Sequence, residues 1–146
     1  MTAGCQVDFY VLGSAEQSPQ QLACRLAMMA WEKGHRIAVM VEDQDQAHTL
    51  DELMWEYPAG RFLPHALASG TSTAPVRIGT TLEGMPDEVD VVINLTSREI
   101  SKPEQFRRLL EIVPASDAER TASRNKFRAY RNQNLNPVSH PMGKSK

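Results

Sequence analysis

Val89-Asp90-Val91-Val92-Ile93-Asn94-Leu95 is the stretch of sequence that decides the fold. It is short, rich in β-branched residues and almost continuously apolar, as in a strand that is covered on both faces. A second run of this kind, 35–41, follows a helical pattern that ends at Gly34. Strands buried on both faces are typical of parallel sheets between layers of helices. The sequence therefore predicts an α/β fold.

The remaining elements alternate in the same way. Further strands are predicted over 8–12, 76–80 and 109–113, and the proline-broken segment 62–67 is predicted as an edge strand or an extended loop. Cap residues and helical spacing predict helices over 18–34, 43–57 and 116–131, with another opening at Ser101. We expect one α/β domain over 1–133, with a mainly parallel sheet and helices on both faces, and a flexible polar tail over 134–146.

Composition limits the class of protein. The chain has 146 residues, 41% of them hydrophobic, and a net charge of −2, which favours an ordinary single-domain globular protein over a general polyanion binder. Cys5 and Cys24 are the two cysteines and form no CxxC pair, so no disulfide framework is expected. The first residues lack a signal-peptide pattern, and no apolar run approaches the length of a membrane span. A cytoplasmic location with reduced thiols is expected, without contact with a membrane.

No catalytic or cofactor motif stands out. The first strand ends in Gly13-Ser14-Ala15-Glu16, and one glycine does not make the glycine-rich turn of a dinucleotide site. No P-loop is present, and none of the histidines has a neighbour at metal-ligand spacing, so no cofactor and no metal are expected. Polar residues from Asn94 to Arg98 follow the buried strand, where open α/β sheets bind ligands. A small α/β enzyme with a site at that strand end is therefore an alternative.

The predicted last helix has an unusual cationic face. At 100° per residue, Arg120, Arg124, Phe127, Arg128 and Arg131 fall in a stripe about 100° wide, and three alanines fall on the opposite side. The alanine side is expected to pack on the sheet. Arginine forks match carboxylates and phosphates, and an exposed aromatic ring favours a ligand that also carries an apolar group. A merely solvated face and direct nucleic-acid binding are the alternatives.

A second candidate surface is aromatic. Trp55, Tyr57 and Phe62 cluster near the end of the second helix and the proline-broken segment that contains Leu63 and Pro64. Large aromatic residues usually belong to a core. At the edge of an element, however, tryptophan and tyrosine are typical anchors of protein interfaces. The cluster therefore predicts either core packing or a protein-binding patch.

Several segments together resemble the chi subunit family of bacterial DNA polymerase III holoenzyme. The resemblance runs over nearly the whole chain and rests on the joint order of short pieces rather than on one motif. These pieces are Phe9-Tyr10-Val11-Leu12, Val41-Glu42-Asp43, Leu53-Met54-Trp55, Phe62-Leu63-Pro64-His65, Ile112-Val113-Pro114, Lys126-Phe127-Arg128-Ala129-Tyr130-Arg131 and Asn134-Leu135-Asn136.

The resemblance implies a Rossmann-like fold without the dinucleotide-binding glycine turn. It also implies that the protein is a non-catalytic adaptor of the clamp-loader complex in DNA replication. Such an adaptor is an accessory subunit of a DNA-directed DNA polymerase, which is a nucleotidyltransferase. The resemblance implies that a basic helix face binds the acidic C-terminal tail of single-stranded DNA-binding protein, which ends in Pro-Phe, so that DNA is contacted only indirectly. It also implies that an aromatic patch binds the psi subunit or a helicase. The residues implied for the tail are Arg120, Arg124, Phe127, Arg128 and Val113, and those for the second protein are Trp55, Phe62, Leu63 and Pro64.

In better-known members of the family Arg120 and Arg128 are lysines and Phe127 is a tyrosine. The charge and the ring are kept here, while arginine adds bidentate geometry and the tyrosine hydroxyl is lost.

Overall fold

The computed structural model describes residues 5–57, 60, 62–68, 74–82 and 89–142. Within these residues seven strands form one sheet, and three α-helices accompany it. The strands are β1 (Gln6–Val11), β2 (Ile37–Met40), β3 (His65–Leu67), β4 (Val76–Gly79), β5 (Val91–Asn94), β6 (Arg108–Val113) and β7 (Val138–Pro141). The helices are α1 (Pro19–Glu32), α2 (Gln44–Glu56) and α3 (Asp117–Asn132).

All the strand pairs are parallel, in the order β3-β4-β2-β5-β6-β1-β7. The predicted α/β fold is thus confirmed, and the predicted edge strand is β3, shorter than the segment that suggested it. The central strands β2 and β5 are buried at every position, which explains their continuous apolar sequence.

The three helices divide between the two faces of the sheet. Ile37 and Val39 pack in a cluster with residues of α1 and α2, whereas Ala38 and Met40 belong to a cluster that contains Tyr130 of α3. Because successive side chains of a strand point to opposite faces, α1 and α2 lie on one face and α3 on the other. The expectation of helices on both faces holds.

The helix starts follow the cap residues of the sequence. Ser18, Asp43 and Ser116 each accept a hydrogen bond from the backbone N–H three residues later. Gly34 ends the first helical segment with a φ of 90°, a left-handed conformation that glycine adopts without a steric penalty.

The prediction that a helix begins at Ser101 is wrong. The segment between β5 and β6 holds only a short 3-10 turn, Pro103–Gln105. Lys102 precedes this turn in a left-handed conformation (φ 51°), and Phe106 is already extended toward β6. A cap residue followed by proline therefore starts a single turn here, because the chain has to enter β6 within a few residues.

The C-terminal segment also differs from its prediction. Instead of a flexible tail after residue 133, Val138–Pro141 forms β7 and pairs in parallel with β1 at the edge of the sheet. Its exposed, polar sequence gives no strand signal, and the strand is held in place by contacts with residues that are distant in the chain. His140 Nε2 lies 2.8 Å from Asp8 Oδ1, and the His140 ring stacks on Tyr10 with centroids 5.1 Å apart. Residues 143–146 of the predicted tail lie outside the described part of the chain.

None of the helices in the described ranges has the length and apolar character that a membrane span needs.

Candidate functional site

A groove of about 900 Å³ lies between α3 and the strand β7. Its floor is formed where β1 and β6 end, by Phe9, Leu12 and Val113. β1 leads into α1 on one face of the sheet, while its neighbour β6 leads into α3 on the other face. Two adjacent strands whose connections diverge in this way open a crevice at their carboxyl ends, which is where open α/β sheets bind ligands.

The wall of the groove on the α3 side is cationic. Arg120, Arg124, Arg128 and Arg131 all line it. Within the described part of the chain, no salt bridge engages any of these four guanidinium groups. The wall therefore offers a row of charge-assisted hydrogen-bond donors to a ligand that enters the groove.

Phe127 joins the cationic wall to the apolar floor. Its ring is half-buried and lies 5.2 Å, centroid to centroid, from that of Phe9 on β1. Val113 is buried beneath it. The five residues predicted for the tail site, Arg120, Arg124, Phe127, Arg128 and Val113, thus line one groove, and their function stays a prediction.

The opposite wall was missed by sequence reasoning. Ser139 and Pro141 of β7 line the groove across from the helix. Their strand is held by Asp8, which is buried and bonded by both His140 and Arg108. Burial would raise the pKa of the Asp8 carboxyl, but the hydrogen bonds from His140 and Arg108 outweigh burial and leave this pKa below its ordinary value.

The loop after β1 has the place of a phosphate-binding turn but not its free donors. The backbone N–H groups of Gly13 and Ser14 both donate to Oε1 of Gln17, at 2.7 and 3.1 Å. The chain thus caps its own loop with a side-chain carboxamide. This arrangement agrees with the presence of one glycine, Gly13, in the turn that follows β1.

The predicted packing face of α3 is wrong. Ala118 is exposed, whereas Lys126 and Tyr130 are buried against the sheet. At about 100° per residue, Lys126 and Tyr130 lie roughly a quarter turn from the alanine side and about a third of a turn from the middle of the arginine stripe. The helix is therefore rotated so that the arginines flank the sheet contact and face the groove. Lys126, which the sequence groups with the basic residues of this helix, contributes no charge to the surface.

Lys126 and Tyr130 of α3 take part in a buried polar network around Glu111 of β6. The Glu111 side chain is fully buried, and its carboxylate accepts hydrogen bonds from Lys126 Nζ (2.8 Å), the Tyr130 hydroxyl (2.7 Å) and Asn94 Nδ2 (2.9 Å). Tyr130 also accepts a hydrogen bond from the backbone N–H of Ile100 at 2.8 Å. The network joins β5, β6 and α3.

The titration of this network follows from its burial. Burial raises the pKa of the Glu111 carboxyl above its ordinary value, although the charge of Lys126 and the hydrogen bonds to the carboxylate pull in the other direction. Burial, together with the nearby Glu111 charge, also raises the pKa of Tyr130. A glutamate inside a predicted apolar strand was the one sequence signal that could have revealed this cluster.

The structure brings together two of the rings predicted for the second surface. Trp55 and Phe62 are 59% and 61% exposed, and their rings lie 5.8 Å apart. Trp55 also lies 4.7 Å from the ring of His65, which is held by the backbone carbonyls of Leu63 and Asp51. The prediction that Leu63 belongs to the surface is wrong, because its side chain packs in the core.

Pro64 is half-buried beside these rings. The aromatic patch therefore consists of Trp55, Phe62 and Pro64, and the predicted core alternative does not hold for the two large rings. Their function stays a prediction.

At the alternative enzyme site near Asn94, the polar side chains form hydrogen bonds with one another and with the backbone of the fold. Asn94 donates to Glu111 and to the backbone carbonyl of Arg98, and Thr96 donates to Asn94. Arg98 itself pairs with Glu42 at 3.2 Å. A cavity of about 330 Å³ adjoins this strand end. Nowhere among the described residues do three histidine, cysteine or acidic side chains meet in an arrangement that could hold a metal ion.

Comparison with known proteins identifies the family. The model of the family described as DNA polymerase III chi subunit, HolC, matches residues 5–137. The chain belongs to the DNA polymerase III chi subunit family. Among its relatives, the DNA polymerase III subunit chi of Pseudomonas aeruginosa is 40% identical over 88% of this chain and 90% of that protein. The subunit chi of Escherichia coli is 32% identical over 77% of this chain and 78% of that protein.

A more distant structural likeness concerns the fold alone. A chain of the solved S. cerevisiae complex of Dbp5 with Nup159, Gle1, IP6 and ADP superposes with a TM-score of 0.65 at 9% sequence identity. The match covers 96% of this chi-family chain and 42% of the yeast chain. The parallel α/β architecture is thus shared with a protein of very different sequence.

Proposed function

We propose that this chi-family chain is a non-catalytic adaptor of the DNA polymerase III clamp-loader complex, and that its groove binds the acidic C-terminal tail of single-stranded DNA-binding protein. The observation that carries the proposal is the pairing of a row of arginines with an apolar floor in one groove. The proposed ligand, the acidic tail, has acidic side chains, an aromatic last residue and a terminal carboxylate. Each of these groups has a counterpart in the groove.

The charges of the tail match the α3 wall. Arg120, Arg124 and Arg128 are exposed along one side of the helix, so an extended acidic segment running beside α3 meets several guanidinium groups in succession. Arginine binds carboxylates through two parallel hydrogen bonds, which adds orientation to attraction. Because the guanidinium groups are exposed, the interaction should weaken as salt screens the charges.

The aromatic end of the tail matches the floor. Phe127 and Phe9 form a tilted ring pair above the buried Val113. A phenylalanine that enters between α3 and β7 can add a third ring to this pair, with Pro141 on its other side. The apolar contact supplies specificity for a peptide that ends in an aromatic residue over an acidic peptide that does not.

The aromatic patch of Trp55, Phe62 and Pro64 is proposed to bind a second protein, the psi subunit or a helicase. Two large rings that are more than half exposed and touch each other are typical anchors of a protein interface. The patch lies by β3, at one edge of the sheet, while the groove lies by β7, at the other edge. Two partners can therefore bind at the same time, as an adaptor requires.

A peptide titration tests the groove. A fluorescent acidic peptide ending in Pro-Phe should bind the parent protein, and Arg124→Ala should weaken binding by about 10- to 100-fold, the loss of one hydrogen bond to a charged group. Lys33→Ala is the matched control, because it removes one exposed cation beyond the end of α1, away from the groove residues. Equal affinity of the Arg124→Ala variant and the parent protein would disprove the assignment of the groove.

Two further measurements separate the alternatives. A peptide whose last phenylalanine is replaced by alanine should bind less tightly than the original peptide, whereas a purely electrostatic site would bind both alike. Gel shifts with naked single-stranded DNA, with and without its coating protein, distinguish tail binding from direct nucleic-acid binding. A shift that needs no coating protein and is lost in Arg124→Ala would favour the nucleic-acid alternative.

A further inference from the structure

The centre of the α3 contact with the sheet is charged, which is unusual for a helix that packs on a parallel sheet. Glu111 stands in the middle of β6 with its side chain fully buried. Two of its donors, Lys126 Nζ and the Tyr130 hydroxyl, come from successive turns of α3, and a third, Asn94 Nδ2, comes from β5. Lys126 Nζ also donates to the backbone carbonyl of Thr96.

The apolar packing of α3 on the sheet rests mainly on two rings, the fully buried Tyr130, whose centroid lies 6.1 Å from that of Phe9, and the half-buried Phe127. Phe127 is the only large and purely apolar side chain in the sequence of this helix, from Asp117 to Asn132. Its ring contacts Phe9, but at the border between the buried face and the arginine face. Apolar contact is not directional, whereas a carboxylate that is bonded from two successive turns accepts its donors in one orientation of the helix.

We propose that Glu111 is a positioning residue for the groove: through Lys126 and Tyr130 it fixes the rotation of α3 about its axis, and so determines that the arginines face the groove. This inference rests on the proposed function only where it concerns the ligand. A rotation of α3 by one residue, about 100°, would turn the arginines away from the groove or under the helix. The buried network thus acts on binding without touching the ligand.

The rotation can be measured directly by thiol labelling. Cys5 and Cys24 are buried, and burial raises the pKa of each thiol to about 12, so the background reaction of the native protein is low. One cysteine is introduced at the half-buried Ala122 and, in a second protein, at the exposed Asn125. In the parent background Ala122→Cys should react more slowly than Asn125→Cys.

The same two cysteines are then placed in the double variant Glu111→Gln/Lys126→Met. This variant removes both buried charges and nearly keeps the shape of each side chain. We expect it to fold, with a labelling rate at position 122 that approaches the rate at position 125. A ratio of rates equal to the parent ratio, in a variant that is folded by circular dichroism, would overturn the proposal. If the double variant does not fold, Tyr130→Phe, which removes one hydroxyl, is tested by the same ratio and the same criterion.

Peptide binding completes the test. The double variant should bind the acidic Pro-Phe peptide severalfold more weakly than the parent, although it keeps all four arginines of the groove. Parent-like affinity together with a changed labelling ratio would overturn the proposal, because the arginine face would then not depend on the rotation. A parent protein that does not bind the peptide contradicts the proposed function alone, and the labelling ratio still decides whether Glu111 fixes α3.

Discussion

Replacing Lys126 by methionine should destabilise the protein by about 3–5 kcal/mol at neutral pH, the usual cost of removing one partner of a buried ion pair. Methionine fills a similar volume, so the loss is electrostatic rather than a packing defect. Lys126 Nζ lies 2.8 Å from Glu111 Oε1, and both side chains are almost completely buried. Without the ammonium group, the fully buried carboxylate keeps, among the residues that the structure describes, only the hydrogen bonds from Tyr130 and Asn94.

The size of this loss should depend on pH. Burial raises the pKa of the folded Glu111, and the charge of Lys126 is the strongest influence that holds it down. The variant should therefore have a still higher pKa. Between the unfolded and the folded pKa the folded state binds more protons, so the free energy of unfolding falls as pH rises, by up to about 1.4 kcal/mol per pH unit. The difference between parent and Lys126→Met should thus be smaller at pH 5 than at pH 7.5.

Thermal and urea unfolding of the parent protein, Lys126→Met and Glu111→Gln/Lys126→Met at pH 5 and 7.5 test this reasoning. At roughly 2–4 °C per kcal/mol for a chain of this size, the single variant should melt roughly 6–20 °C below the parent at neutral pH. The double variant should recover at least half of that loss, because the unpaired charge is gone. A loss below about 1 kcal/mol in Lys126→Met, or no recovery on adding Glu111→Gln, would show that the pair is not buried as a pair.

Three further outcomes are expected. Trp55→Ala should leave the unfolding midpoint within a few degrees of the parent value, because the ring is 59% exposed, while capture of the second protein on beads should be lost; a large drop in the midpoint would mean that the ring is structural. Asp8→Asn should flatten the fall in stability below about pH 4. A carboxyl with a lowered folded pKa stabilises the fold above its unfolded pKa and loses this effect as it is protonated. Acid titration followed by circular dichroism compares the slope of the variant with that of the parent protein. Cys5 and Cys24 should resist iodoacetamide at pH 8 in the native protein and react after unfolding, because burial raises each thiol pKa to about 12. Mass spectrometry records the extent of labelling, and rapid labelling of the native protein would contradict the burial of the two thiols.

Local signals in the sequence predicted most of the fold. The apolar runs that became β2 and β5 predicted buried parallel strands, and Ser18, Asp43 and Ser116 marked the helix starts. These signals succeed because burial and capping act on residues that are close together in the chain. The short turn at Pro103–Gln105 shows the limit, since the same local pattern preceded only one turn.

The candidate groove was predictable in its helical wall and not in its opposite wall. The spacing of Arg120, Arg124 and Arg128 in the sequence is enough to place them on one side of a helix, and all three line the groove. Ser139 and Pro141 reach the groove only because β7 pairs with β1, at a separation of about 130 residues along the chain (139 minus 9). The short polar sequence of β7 has no strand pattern, so nothing local predicts that pairing.

The sequence by itself thus determined the α/β class, the positions of the main helices and the one-sided arrangement of arginines on α3, because these depend on periodicity and on neighbouring residues. The tertiary structure decided which face of α3 meets the sheet. The alanines predicted one orientation, but Glu111 lies 15 residues from Lys126 and 19 from Tyr130 in the chain. A buried carboxylate needs donors wherever the fold brings them, and that need, together with the pairing of β7, gave the arginines a groove to face.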